Sequence, residues 1–296
     1  MKKRYENAVE VSGGLGRVVS MLPSLSIKGD LAITQGWEEL FYHTDLNAIE
    51  GGSLYIEKAL ENKDVVRPEP YHMAAYRKGE KNLPECFAEA LGIKGYDYQM
   101  HKRNNPIKIP AAVEEWKNSM LRDLGVAEGT PVMIIDSGAS TEVRKLDRDT
   151  VINAATAARN LGYHPIHIGE IDVFFSDEEH LSWIAGTSII EYITLLSSAD
   201  LFVGGDSAGL HISALYGVPS IIKTTSTSGI KYYPNVFKFV HPLHQNSVEN
   251  CRLYGAEQRK TAENLANKCN FYTICAENIE KLINFYKENG SFPESL

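Results

Sequence analysis

SADLFVGGDSAGLHISALYGVPSIIKTT, running from Ser198 to Thr225, is the stretch whose reading decides the fold. Ala199–Val203 is a short apolar β run, broken by Gly204, Gly205, Asp206 and Ser207. An apolar-periodic segment follows through Leu210, Ile212, Ala214 and Leu215. Gly217 and Pro219 stop it before a second β run at Ser220–Ile222. The unit reads strand, Gly-rich loop, helix, strand, with Ser207 as the N-cap candidate. Such a loop aims backbone N–H groups and the positive end of a helix at an anion, most often a phosphate. Gly in βαβ turns serves packing as often as ligands, so the pattern alone leaves both readings open.

Working outward, the chain upstream repeats the same kind of unit. Val132–Asp136 is a β run, 137–140 a small-residue loop, and Asp147–Leu161 a helix with Val151, Ala154, Ala155, Ala158 and Leu161 facing inward. Gly162 stops that helix and His164–Ile168 is the next strand. Asp177–Ile184 is expected to be helical, and Ser188–Leu196 forms the helix leading into the central stretch. Alternating strands and helices predict a parallel sheet covered on both faces.

The N-terminal part opens on the same theme. Asn7–Ser12 reads as a strand, Gly13-Gly14-Leu15-Gly16 as a turn, and Val18–Leu25 as a helix. Leu31–Thr34 is a second strand and Trp37–Tyr42 starts a helix, whereas Leu54–Ala90 is irregular apart from a strand end at Asp64–Val66 and a helix at Phe87–Gly92. Ala111–Leu124 is a helix with Val113, Trp116, Met120 and Leu124 at helical spacing, a stripe expected to be core. The predicted organisation is a first Rossmann-like domain over 1–125, a second over 126–275, and a last helix over 276–296 that crosses back to the first domain.

With 296 residues, each half is long enough to bury a core of its own. The composition, 43% hydrophobic and 23% charged, is that of a soluble globular protein, with no apolar run that could span a bilayer. The N-terminus has no signal-peptide h-region. Cys86, Cys251, Cys269 and Cys275 lack CxxC spacing, which argues against a zinc site or a disulfide framework and for cytoplasmic thiols. The net charge of −8 disfavours broad attraction to nucleic acid or anionic lipid, while leaving room for a local basic groove.

Asp206-Ser207-Ala208-Gly209-Leu210-His211, then Ala214, Gly217 and Pro219, resembles the signature of the heptosyltransferase-like glycosyltransferases, glycosyltransferase family 9, with Ala208 and Gly209 shifted by one against the family's D-[ST]-G-x-x-H. Gly186–Glu191 and Ala199–Leu201 resemble the family in order and spacing. So, more thinly, does the opening Gly13–Leu25, which includes Gly14 and Gly16. The resemblance implies an α/β fold of GT-B type, two Rossmann-like domains facing a central cleft. It also implies an inverting, metal-independent transfer of a sugar from a nucleotide-diphosphate sugar to an acceptor hydroxyl.

By the same carry-over, Ser140 lies in a donor-binding loop and Arg144, or Lys145 if the register slips, meets the donor phosphates. Glu170 holds ribose hydroxyls and Thr225 belongs to a loop that holds phosphate or sugar. In the matched motif Asp206 contacts the transferred sugar's hydroxyls, Ser207 donates to phosphate, His211 donates to the diphosphate, and Ala208 and Gly209 belong to the same donor-binding turn. Each has a plainer reading: Asp206 as a loop-holding carboxylate, Ser207 as a helix cap, His211 as a packed core residue, Glu170 as a loop carboxylate and Arg144 and Lys145 as solvated surface.

One departure stands out. The family places its general base, an Asp, directly after the last Gly; this chain has Arg17, which cannot accept a proton. Either the base lies elsewhere or the reaction has been lost or changed. Arg17 itself is expected to pair with a diphosphate or an acceptor phosphate, or to be solvated. Ends of strands carry ligand contacts in open α/β sheets, so Glu69 and His72 are candidates for the base, with Asp45 a third. The expected partners are the nucleotide-diphosphate sugar, with no metal, and an acceptor that is a saccharide, a lipopolysaccharide core or a hydroxylated base in DNA. The alternative is a non-catalytic nucleotide-sugar-binding protein; a sugar-nucleotide epimerase is a further option.

Overall fold

The computed structural model describes residues 7–139, 144–169, 181–224, 231–240 and 273–296. The chain divides into two compact units: Met1–Glu114 with Ile230–Tyr233, and Glu115–Gly229 with Pro234–Leu296.

In the first unit β1 (Asn7–Ser12), β2 (Leu31–Gln35), β3 (Ala48–Glu50) and β4 (Asp64–Val66) form a sheet of order β3-β2-β1-β4. Every pairing is parallel. The helix α1 (Leu15–Lys28) follows the Gly-rich turn and buries Val18, Val19, Met21, Leu22 and Leu25; Gly29, in the left-handed region at φ 70°, closes it. Short helices α2 (Glu38–Tyr42), α3 (Ile56–Leu60) and α4 (Ala74–Arg77) occupy ground that the sequence marks partly as irregular. The helix α5 (Leu83–Ala90) starts earlier than its apolar pattern suggests, because Asn82 and Glu85 form a reciprocal capping box ahead of it. After α6 (Tyr98–Arg103), the helix α7 (Ala111–Asp123) carries the chain across the unit boundary, which falls between Glu114 and Glu115. None of its residues is fully buried, so the stripe through Trp116 is only half-buried rather than core.

The second unit contains β5 (Val132–Asp136), α8 (Arg148–Asn160), β6 (His164–Ile168), β7 (Ser182–Ile184), α9 (Ile189–Ser197), β8 (Leu201–Gly205), α10 (Ala208–Tyr216), β9 (Ser220–Thr224), β10 (Val236–Val240) and α11 (Ala276–Asn289). The sheet order is β10-β9-β8-β5-β6-β7, again all parallel. Written by position in the unit, that is 6-5-4-1-2-3, the complete doubly wound order of a dinucleotide-binding domain. The connections β5→β6 and β8→β9 step in opposite directions. Right-handed crossovers therefore put α8 and α10 on opposite faces of the sheet. Met133, Ile135, Leu201, Val203, Ile221, Phe237 and Phe239 point to the α8 face, where Val151, Ala154, Ala155 and Ala158 meet them.

Two expectations change. Residues 177–184 were expected to be helical, but Ser182–Ile184 is the edge strand β7, and 177–180 lie outside the described residues. The last helix was expected to cross back to the first domain. Instead α11 stays in the second unit, where Ile279, Leu282 and Ile283 complete the core beside α8. The return to the first unit is made by Ile230–Tyr233. There Lys231 reaches Glu85 at 3.1 Å, and buried Tyr233 lies 3.3 Å, hydroxyl to hydroxyl, from Ser20.

Candidate functional site

In the second unit the strand order reverses between β5 and β8. At such a point the loops leaving the two strands diverge at the carboxyl edge, where open α/β sheets bind ligands. The loop after β5 brings Asp136, Ser137 and Gly138; the loop after β8 brings Asp206 and Ser207 and opens α10. Gly205 is needed there because Arg144 passes against it. A Cβ on Gly205 would lie 2.0 Å from the Arg144 carbonyl oxygen. That contact delivers the Arg144 guanidinium, whose Nη1 donates to the Asp206 carbonyl at 3.0 Å and lies 4.0 Å from its carboxylate. Arg144 thus contacts the loop after β8, and its neighbour Lys145 is half-buried.

Ser207 sits at the N-cap of α10, yet its side chain makes no capping bond, and its buried Oγ has no hydrogen-bond partner among the described residues. A hydroxyl so placed is available to a ligand at the positive end of the helix. Ala208 is the first helical residue and Gly209 the second. Gly209 has a demanding environment: a Cβ there would come within 2.9 Å of Tyr192 Oη, Phe202 and Asp136 Oδ2. The one-place shift of Gly against the expected motif is therefore a packing requirement of this chain. His211, half-buried one turn along, has its imidazole pushed down to about 4 by burial, against the pull of Asp206 and with the help of Arg144. It is neutral at pH 7 and can offer one ring N–H as donor.

Behind this loop lies a second, buried layer that the sequence did not single out. Asp136 accepts from Tyr192 at 2.5 Å and from the Gly138 amide at 2.8 Å. Burial pushes its carboxyl up to about 6, although both hydrogen bonds pull the other way. Ser137 Oγ lies 2.8 Å from His167 Nε2, and Gly169 has no room for a Cβ because Ser137 Oγ would be 2.3 Å away. Near the carboxyl end of β9, buried Lys223 and half-buried Asp147 form an ion pair at 2.5 Å. Burial pushes the Asp147 carboxyl up, but the bonds from Lys223 and Thr150 outweigh it and hold the group below the usual range.

Burial also pushes the His167 imidazole from 6.5 down to about 4. A histidine depressed in the fold stabilises fully above 6.5 and loses that contribution as pH falls through 4, a change of about 3 kcal/mol. Asp136, raised from 3.8 to about 6, works the other way and regains stability as pH falls through 6. His167→Gln is thus expected to flatten the fall in melting temperature between pH 6.5 and 4. An unchanged slope in that variant would contradict the assignment.

The first unit has its own reversal point, between β1 and β4. The turn after β1 carries Gly14 at the N-cap of α1 and Gly16 in its first turn. Arg17 projects from that turn toward the segment after β4: Nη2 donates to the Pro68 carbonyl at 2.7 Å and pairs with Glu69 Oε1 at 3.3 Å. Its guanidinium lies 5.5 Å from the Tyr71 ring centre and 5.9 Å from that of Phe87. Arg17 is 13% exposed and Glu69 52%, so the cation is held within the protein and the carboxylate faces water.

The structure does not gather the other two base candidates equally. His72 Nδ1 lies 3.1 Å from Arg77 Nη2. Since a guanidinium can only donate, Nδ1 is the acceptor and the ring proton sits on Nε2. Asp45 precedes β3, at the amino edge of the sheet, and is paired with Lys108 at 2.5 Å. Of the two carboxylate candidates, Glu69 is the one at the carboxyl edge; its oxygens accept from Arg17 Nη1 at 3.4 Å and Nη2 at 3.3 Å, and its side chain is 52% exposed. Ser140, Glu170 and Thr225 lie outside the described residues.

No protein-family model matches the sequence, and no curated protein matches it. Solved structures do. A glycosyl transferase of family 9 from Veillonella parvula DSM 2008 aligns at TM-score 0.59 and 11% identity, over 90% of this chain and 99% of that one. The iron-containing dodecameric glycosyltransferase TibC from enterotoxigenic E. coli H10407 aligns at TM-score 0.56 and 12% identity, over 90% of this chain and 78% of that one. The E. coli heptosyltransferase WaaC, solved with ADP-2-deoxy-2-fluoro heptose, aligns at TM-score 0.52 and 13% identity, over 87% and 99%. With its two parallel α/β units, the chain has the GT-B-type fold of the family 9 glycosyltransferases.

Proposed function

We propose that this protein is a glycosyltransferase that moves a sugar from a nucleotide-diphosphate sugar to an acceptor hydroxyl. The observation that carries the reading is the buried Ser207 Oγ at the start of α10, unpartnered among the described residues, with Arg144 and His211 beside it at the reversal point of a complete dinucleotide-binding sheet. One cation, one helix N-terminus and two neutral donors around a single spot suit a diphosphate.

In the transfer, the acceptor oxygen attacks the anomeric carbon and its proton passes to Glu69. The bond from that carbon to the diphosphate oxygen breaks, and the diphosphate departs with the electron pair. Attack opposite the leaving group inverts the anomeric centre. Arg144 and α10 stabilise the charge gathering on the diphosphate, so no metal is required in this scheme. The acceptor is a saccharide, and four cysteines without CxxC spacing suit a cytoplasmic setting. Among the described residues no helix is long and apolar enough to cross a membrane. A non-catalytic nucleotide-sugar-binding protein is the second reading, favoured by the cation Arg17 in the position where a carboxylate base was expected.

The test is release of nucleoside diphosphate from ADP-, GDP- and UDP-sugars, with a CMP-sugar as the control that lacks the second phosphate. ADP-heptose heads the panel because the WaaC structure carries an ADP-linked fluoroheptose. The expected result is acceptor-stimulated release from one diphosphate donor, unchanged by EDTA. Binding of that donor without release would establish the second reading, and loss of release in EDTA would remove the metal-free scheme.

A further inference from the structure

Trp37 is one of two non-glycine residues with positive φ among those described, at φ 62° and ψ 26°. A bulky aromatic rarely adopts this conformation, and where it does the surroundings hold it there. Here the indole Nε1 donates to the Gly13 carbonyl at 2.8 Å. Gly13, itself at φ 103°, packs against the Arg17 side chain: a Cβ on Gly13 would fall 2.8 Å from Arg17 Cδ. Arg17 in turn holds Glu69. The ring is thus fixed, through one glycine and one arginine, to the carboxylate at the carboxyl edge of the first sheet.

A tryptophan that merely sealed the glycine turn would be covered. Trp37 is instead 38% exposed, with its only polar atom already satisfied. That leaves apolar ring surface facing water, joined to the Glu69 carboxylate through Gly13 and Arg17, a combination suited to a ligand with an apolar face and hydroxyls at its rim. A pyranose has both: its axial C–H bonds form an apolar face, and its equatorial hydroxyls project outward.

We propose that Trp37 is a substrate-contact residue, a platform on which the acceptor pyranose stacks so that one of its hydroxyls meets Glu69. This rests on the glycosyltransferase reading and names the acceptor subsite within it.

The test is tryptophan fluorescence of the full chain carrying Trp116→Phe and Trp183→Phe, so that Trp37 is the only indole. It is titrated with methyl glucopyranoside, methyl galactopyranoside and methyl mannopyranoside, and in parallel with nucleosides. The expected result is a saturable change with at least one pyranoside. Measured by calorimetry on the otherwise unaltered chain, affinity for that pyranoside should fall about tenfold or more in Trp37→Leu and stay within a few-fold in Trp37→Phe. No response to any pyranoside, a response to nucleosides only, or equal affinity in Trp37→Leu would overturn the proposal. Nucleoside-diphosphate release from the donor in the absence of acceptor is read separately, so failure at Trp37 and failure of the glycosyltransferase reading give different results.

Discussion

Glu69→Gln is expected to reduce acceptor-dependent transfer by about 10²–10⁴-fold while leaving donor affinity unchanged. The substitution keeps size and shape while removing both the capacity to take a proton and the charge that pairs with Arg17. Of the three base candidates, Glu69 alone combines the carboxyl edge of the sheet, exposed oxygens and a fixed orientation. Arg17 sets that orientation by binding both the Pro68 carbonyl and the Glu69 carboxylate. In the proposed reaction the cation at position 17 has a role of its own: the base stands at the strand end instead of the helix start, and Arg17 positions it. Asp45→Asn, at the opposite edge of the sheet, should leave transfer within a few-fold of wild type. Full activity in Glu69→Gln would place the base elsewhere.

Arg144→Ala is expected to lower the transfer rate by about 10²–10³-fold, the usual loss when one preorganised donor to a developing negative charge is removed. Donor binding should weaken as well, since in the proposed site the same guanidinium would also meet the ground-state diphosphate. Arg144→Lys should recover only part of the loss, because an ammonium cannot reproduce the fork that reaches both the Asp206 carbonyl and a phosphate. Measuring rate and donor affinity together separates the two contributions. A variant with normal rate and affinity would show that the guanidinium serves only to hold the loop after β8.

The central strand–loop–helix–strand was legible because each boundary carries its own punctuation. Gly204 and Gly205 end one strand, Gly217 closes α10 in the left-handed region, and Pro219 precedes the next strand. What stayed hidden depends on partners far along the chain. Asp136 reads as the end of an apolar run; its importance comes from Tyr192, 56 residues later. Glu69 was a candidate on topology alone, and its orientation comes from Arg17, 52 residues earlier. The apolar stripe of α11 announces a buried face without saying which surface it will cover, so the packing against α8 could not be read. The edge strand Ser182–Ile184, three residues long, is too short to display a period.

The most direct test of the account is thermal unfolding in the presence of ADP-, GDP- and UDP-sugars, with a CMP-sugar as control, for wild type and Arg144→Ala side by side. The account predicts that one diphosphate donor raises the melting temperature of the wild type, by an amount that grows with concentration as linkage requires. It also predicts that EDTA leaves this shift intact and that Arg144→Ala largely abolishes it. No shift with any nucleotide, or an equal shift in Arg144→Ala, would contradict a diphosphate site at the start of α10.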